Sequence, residues 1–165
     1  MQGVAIFFMN KILEKLFKED QNDRMTLGAD GDFAMIEKRD IERKNIVKRL
    51  LREGAVITGR DFYIAAMIFH HGQSLADYKT ALKLAKESNK KGYQKAKWLC
   101  AGVTDRLLMK QGKKQKFGTQ FIRKNPRSKW VLAPIEKGMT DEERKQFNVP
   151  PLAELKAQIE EMNKK

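Results

Sequence analysis

The eight residues Phe62-Tyr63-Ile64-Ala65-Ala66-Met67-Ile68-Phe69 carry no charge. Wound as a helix, they are apolar on every side. Such a helix has no face to offer to water, so it demands elements packed all around it. This predicts a central, buried helix, with Phe62, Ala65, Ala66 and Phe69 at the middle of the core. Thr58 or Asp61 can cap its start, and His70-His71-Gly72 ends it. At 165 residues the chain is long enough to supply the surrounding elements within one domain.

The other segments read mostly as helices that could do the surrounding. Ile6, Met9, Ile12, Leu13, Leu16 and Phe17 recur at spacings of three and four, which marks one helix over about residues 5–24. Met25 to Phe33 reads as a loop. Ile36, Ile46, Val47, Leu50 and Leu51 put a weaker stripe on a second helix, about Met35 to Glu53, with Gly54 as its stop. Ser74 with Asp77 opens a helix to about Asn89, and another follows from about Tyr93 to Lys110. Ala81 and Ala96 are small residues suited to a crossing between those two, so the pair reads as a helical hairpin. After Gly112 the period changes. Lys116–Arg123 and Lys129–Ile135 read as two short strands joined across Asn125-Pro126-Arg127-Ser128. Thr140 opens a short helix, and Leu152, Leu155 and Ile159 mark a last one after Pro150-Pro151. The expected fold is mainly α: one compact domain over residues 1–165 with helical hairpins and a small β-hairpin in the C-terminal third. Its helical body covers about 5–111, and a basic hairpin with C-terminal helices covers about 112–162.

Charge narrows the partners. A hydrophobic fraction of 41% beside a charged fraction of 33% describes a globular chain and argues against overall disorder. The net charge of +13 favours polyanionic or phosphorylated partners, although a lysine-rich solvated surface is the plainer account. Lys38, Arg39, Arg43 and Lys44 are interleaved with acids and read as a solvated helix face. Cys100 is the single cysteine, so neither an intrachain disulfide nor a cysteine metal cluster can form. It reads as a small core residue in a reducing compartment. His70 and His71 are adjacent and diverge by about 100° on a helix, which is poor metal geometry. The expectation is no metal and no cofactor, since phosphate-loop, dinucleotide and nucleophile-elbow signatures are also lacking. The apolar run Val4–Met9 is cut short by Lys11, Glu14 and Lys15, and reads as an amphipathic helix, not a signal peptide. A cytoplasmic protein without membrane association is expected.

Chemistry concentrates around Gln115-Lys116-Phe117-Gly118-Thr119-Gln120. No acidic residue occurs between Asp105 and Glu136, while Lys110, Lys113, Lys114, Lys116, Arg123, Lys124, Arg127 and Lys129 all fall there. Gly118 permits a positive φ. A Gly-Thr step presents backbone N–H groups and a hydroxyl, which suits a phosphate oxygen. The guanidinium of Arg106, and that of Arg24 oriented by Asp20, match an anion bidentately. Gln115, Thr119 and Gln120 would fix orientation. His71 would move a proton, with Asp105 setting its tautomer. The expected site thus has His71 and Asp105 as catalytic groups and Arg24, Arg106, Gln115, Thr119 and Gln120 as ligand-binding groups. They are expected around one pocket for an anionic or phosphate-containing small molecule. Each has a plainer account: an i,i+4 ion pair for Asp20–Arg24, a helix-end histidine, a structural turn at Gly118. If the site is an enzyme's, phosphodiester or glycosidic cleavage on a nucleotide is the reaction class to test first. Two other readings stand beside it. One is a nucleic-acid binder using the Lys110–Lys129 segment with an exposed Trp130 or Phe117. The other is a helical protein-interaction module.

The order of motifs also resembles an uncharacterised bacterial domain family of unknown function. The matching pieces are Asp20-Gln21-Asn22-Asp23-Arg24, Phe69-His70-His71, Asp105-Arg106, Gly112-Lys113-Lys114-Gln115-Lys116-Phe117-Gly118-Thr119-Gln120 and Pro150-Pro151-Leu152. They span most of the chain, and Gln-x-Phe-Gly-Thr-Gln after Asp-Arg is the most specific. His70 departs from the glutamine expected there, while His71 keeps the matching histidine. The resemblance implies a shared fold and no particular activity.

Overall fold

A computed structural model describes residues 2–27, 31–125 and 127–164, with side chains from Lys11 onward. The chain is mainly α, 65% helical, with seven helices and one antiparallel two-strand hairpin among the described residues. It divides into two compact units, Met1–Gln94 and Lys95–Lys165. The division falls before the fifth helix. That helix is tied by hydrogen bonds to the loop that follows it, as shown below.

The first unit holds α1 (Gln2–Met25), α2 (Phe33–Arg52), α3 (Gly59–His70) and α4 (Leu75–Lys90). Caps set the starts. Asp32 accepts from the Met35 N–H at α2, and Thr58 with Asp61 and Ser74 with Asp77 form capping boxes on α3 and α4. The central helix of the sequence reading is α3. Ile64, Ala65 and Ala66 are wholly buried, and Ile68 and Phe69 nearly so. Phe62 is the exception. It lies in the first turn, only half-buried, with the Lys91 ammonium 5.5 Å from its ring centre. Helices α3 and α4 pack closely as a hairpin, and α1 and α2 pack against α3 and each other. Of the predicted α1 stripe, the side chains of Ile6 and Met9 lie outside the described residues, while Leu13 and Leu16 are buried. Gly28 and Pro126, assigned to loops, also lie outside them.

The second unit holds α5 (Lys95–Lys110), β1 (Phe121–Ile122), β2 (Val131–Leu132), α6 (Asp141–Gln146) and α7 (Leu152–Met162). Phe121 pairs with Leu132 and Ile122 with Val131. The strands are shorter than the alternation suggested, because the N–H groups of Lys116, Phe117 and Thr119 turn to the Asp105 carboxylate instead of a neighbouring strand. Ala101, Phe117, Val149 and Leu155 form the buried core of this unit, with Phe121, Met139 and Phe147 against it. Cys100 is buried, as a core residue should be.

Candidate functional site

The site residues expected from the sequence fall in two groups, one in each unit. In the second unit the geometry is that of a clamp. Asp105 is wholly buried on α5. Its Oδ1 accepts the backbone N–H groups of Lys116 (2.7 Å) and Phe117 (2.8 Å), and its Oδ2 those of Thr119 (2.9 Å) and the Thr119 hydroxyl (2.8 Å). The Gly-Thr turn does cradle an anion, and that anion is the chain's own carboxylate. Gly118 makes the cradle affordable with φ of +87°. Gln115 is also wholly buried. Its amide donates to the carbonyls of Ala133 (2.8 Å) and Gln120 (3.0 Å) and accepts the Gln120 N–H (2.9 Å). This side chain stands in for a rung of the hairpin ladder. Arg106 Nε donates to Gln120 Oε1 at 3.1 Å, and Gln120 Nε2 donates to the Thr119 hydroxyl at 2.9 Å. Asp105, Arg106, Gln115, Thr119 and Gln120 therefore meet in one network that shapes the loop. Phe117, offered above as an exposed aromatic, is buried, its ring 4.7 Å from that of Phe147. Its N–H is anchored on Asp105, so the ring turns into the core.

In the first unit the arrangement is different and contains the groups with free chemistry. His71 caps the C-terminus of α3. Its Nδ1 lies 3.0 Å from Oδ1 of Asp20 on α1, and Asp20 is wholly buried. The carboxylate that orients His71 is thus Asp20. Burial would raise the Asp20 carboxyl, but the bond to His71, the nearby charge of Arg24 and the Gln21 amide hold it below the usual carboxylate range. An ionised Asp20 makes Nδ1 the protonated nitrogen, which leaves the lone pair of neutral His71 on Nε2.

Behind Asp20 runs a chain of ion pairs. Arg24 lies 3.4 Å from Asp20 and donates to Asp40 at 2.8 Å. Arg43 donates to Asp40 at 3.0 Å and twice to Asp23 at 2.7 Å, and Arg39 donates to Asp23 at 2.6 Å. Asp23, Asp40 and Arg43 are all buried. The reading of Arg43 and Lys44 as part of a solvated face is therefore corrected, while Arg39 stays exposed at the edge of the network. Burial would lower the Arg43 pKa, but its bonds to Asp23 and Asp40 raise it, so the guanidinium stays charged. The three carboxylates and three guanidiniums of this network match in number. The network is not fully closed. The Nε–H of Arg43 is buried without a hydrogen-bond partner among the described residues, and Nη1 of Arg24 has only its 3.4 Å ion pair with Asp20.

His71 lines a cleft of about 320 Å³ together with Glu37, Asp40, Lys44, Ser74 and Asp77. Lys44 donates to Asp77 at 2.9 Å across it. Burial would raise the Asp77 carboxyl, but Lys44 and the Ser74 bonds hold it low. Gly72 lets the Asp77 carboxyl sit there, since a Cβ at that position would lie 2.5 Å from it. Comparison with family models, curated proteins and solved structures finds no match. The reading of the site therefore rests on its geometry. Among the described residues no His, Cys, Asp and Glu group has the makings of a metal site, and no helix is long and apolar enough to cross a membrane.

Sequence reasoning reached Asp20, Arg24 and His71 but missed Asp23, Asp40, Arg43 and Lys44. A signal for three of them was present. Leu13, Leu16, Asp20 and Asp23 on α1, and Ile36, Asp40, Arg43, Val47 and Leu50 on α2, each follow the three-and-four spacing of a buried stripe. A charge in phase with such a stripe is headed for the interior.

Proposed function

We propose that the first unit is a general acid–base site for a small polar molecule, with His71 as the proton-transfer group. The observation that carries this is the buried Asp20 carboxylate 3.0 Å from His71 Nδ1, on a histidine that lines a cleft. In this reading His71 Nε2 takes a proton from a water or substrate hydroxyl, and Asp20 stabilises the imidazolium that results. Arg24, itself bonded to Asp40, keeps Asp20 charged and in place. Lys44 offers a cation to an anionic substrate group, while Glu37, Asp40 and Asp77 favour a substrate that also donates hydrogen bonds. A phosphorylated or nucleotide-like molecule with free hydroxyl or amino groups meets both demands, and hydrolysis or group transfer is the matching chemistry. The buried Arg43 Nε–H without a hydrogen-bond partner adds support, because such costs are tolerated where function needs the arrangement. Relative to the reading from sequence, Asp20 replaces Asp105 as the orienting acid. Arg106, Gln115, Thr119 and Gln120 become shape-giving residues of the other unit.

The test is a thermal-shift screen of nucleotides, nucleosides and phosphorylated sugars, followed by turnover assays on each stabilising compound. A ligand at 100 times its Kd should add about 2.7 kcal/mol of stability. His71→Gln should cut turnover by about 10²–10⁴-fold while leaving the fold intact. Asp20→Asn should cut it comparably and shift the pH profile. Unchanged turnover in His71→Gln would remove the proposal.

A further inference from the structure

The second unit carries 17 Lys and Arg against 8 Asp and Glu, a surplus of nine of the chain's +13. None of the eight acids falls between Asp105 and Glu136. The β1–β2 register gathers part of this charge at one place. Because Ile122 pairs with Val131, the residues that follow converge at the hairpin tip: Arg123, Lys124, Arg127 and Lys129, all exposed. The Arg123 guanidinium sits 4.6 Å from the Trp130 ring centre. The Trp130 backbone is anchored by Asn163, its main-chain N–H donating to Asn163 Oδ1 (2.7 Å) and its carbonyl accepting from Asn163 Nδ2 (2.9 Å). Beside it the cross-strand pair Ile122 and Val131 is 39% and 51% exposed. The hairpin thus carries a cation stacked on an aromatic, further exposed cations at its tip and a small apolar pair.

We infer that this hairpin tip binds single-stranded nucleic acid, without sequence preference. Lys124, Arg127 and Lys129 would neutralise successive phosphates, and the Arg123–Trp130 stack would receive a base. A planar guanidinium on an indole is already a stacked arrangement, which a base can extend or replace. The apolar pair also argues against a purely ionic partner, since lysines alone would suffice for that. This inference is independent of the acid–base site, which lies in the other unit.

The experiment measures binding of the full chain to a fluorescent single-stranded RNA of about 20 nucleotides by anisotropy, from about 50 to about 200 mM salt. Affinity should fall steeply with salt. Replacing Lys124, Arg127 and Lys129 together by Gln should reduce the slope of log K against log salt by about two. A control with Lys83→Gln, Lys86→Gln and Lys90→Gln removes the same charge from exposed positions on α4 and should leave that slope nearly unchanged. Circular dichroism confirms that both variants are folded. Equal losses in the two variants would reduce the effect to net charge and overturn the inference. So would the absence of binding, or tighter binding to phosphatidylglycerol vesicles than to the oligonucleotide. A duplex of the same length that binds as well would overturn the single-strand assignment.

Discussion

Asp105 shows how a residue with the look of a catalytic acid becomes a structural anchor. Four donors from Lys116, Phe117 and Thr119 saturate its two oxygens. We expect Asp105→Asn to cost about 2–4 kcal/mol in urea unfolding, since an amide removes one acceptor and opposes an N–H with its own. Loss of less than about 0.5 kcal/mol would mean the loop does not depend on it. Asp20 makes the complementary case through pH. Its folded pKa is lowered, so its contribution to stability is present above the ordinary carboxylate range and is lost as pH falls through the folded value. The stability gap between the native chain and Asp20→Asn should therefore be widest near neutrality and close at acid pH. A gap that widens on acidification would contradict the ionised dyad.

Helices α1 and α2 bury charge where stripes of this spacing normally bury leucine. Removing one member of a buried pair strands the other, so Arg43→Ala and Asp23→Ala should each cost about 3–5 kcal/mol. The double variant should cost clearly less than their sum, because the stranded charge is then gone. Additive losses in this double-mutant cycle would show that the two are not coupled. Helix α3 is the apolar counterpart. Phe69→Ala should cost about 3–5 kcal/mol by chemical denaturation, given that Phe69 is only 2% exposed.

Across the whole molecule the two units can be followed separately. Both tryptophans, Trp98 and Trp130, belong to the second unit, while most helical residues belong to the first. Tryptophan fluorescence therefore reports the second unit, and far-UV circular dichroism is weighted to the first. We expect Asp105→Asn to move the fluorescence transition to lower temperature than the dichroism transition. Coincident transitions in that variant would mean that the units melt as one.

Helix positions, their caps and the hairpin were legible because periodicity, capping boxes and glycine stops are local features, written within a few residues of one another. Thr58-Asp61, Ser74-Asp77 and Thr140-Glu143 each form a capping box as their spacing implies. The buried centre at Ala65, Ala66 and Phe69 followed from a helix with no polar face. Partners distant in sequence were not legible in this way. Asp20 meets His71 across 51 positions, and Asp23 meets Arg43 across 20, because two helices fold side by side and one side chain can choose among many. The anion cradle at Gly118 was recognisable from its glycine and threonine. That Asp105 fills it was decided by tertiary structure, since a buried carboxylate and a set of unpaired N–H groups satisfy each other only once α5 and the loop are brought together.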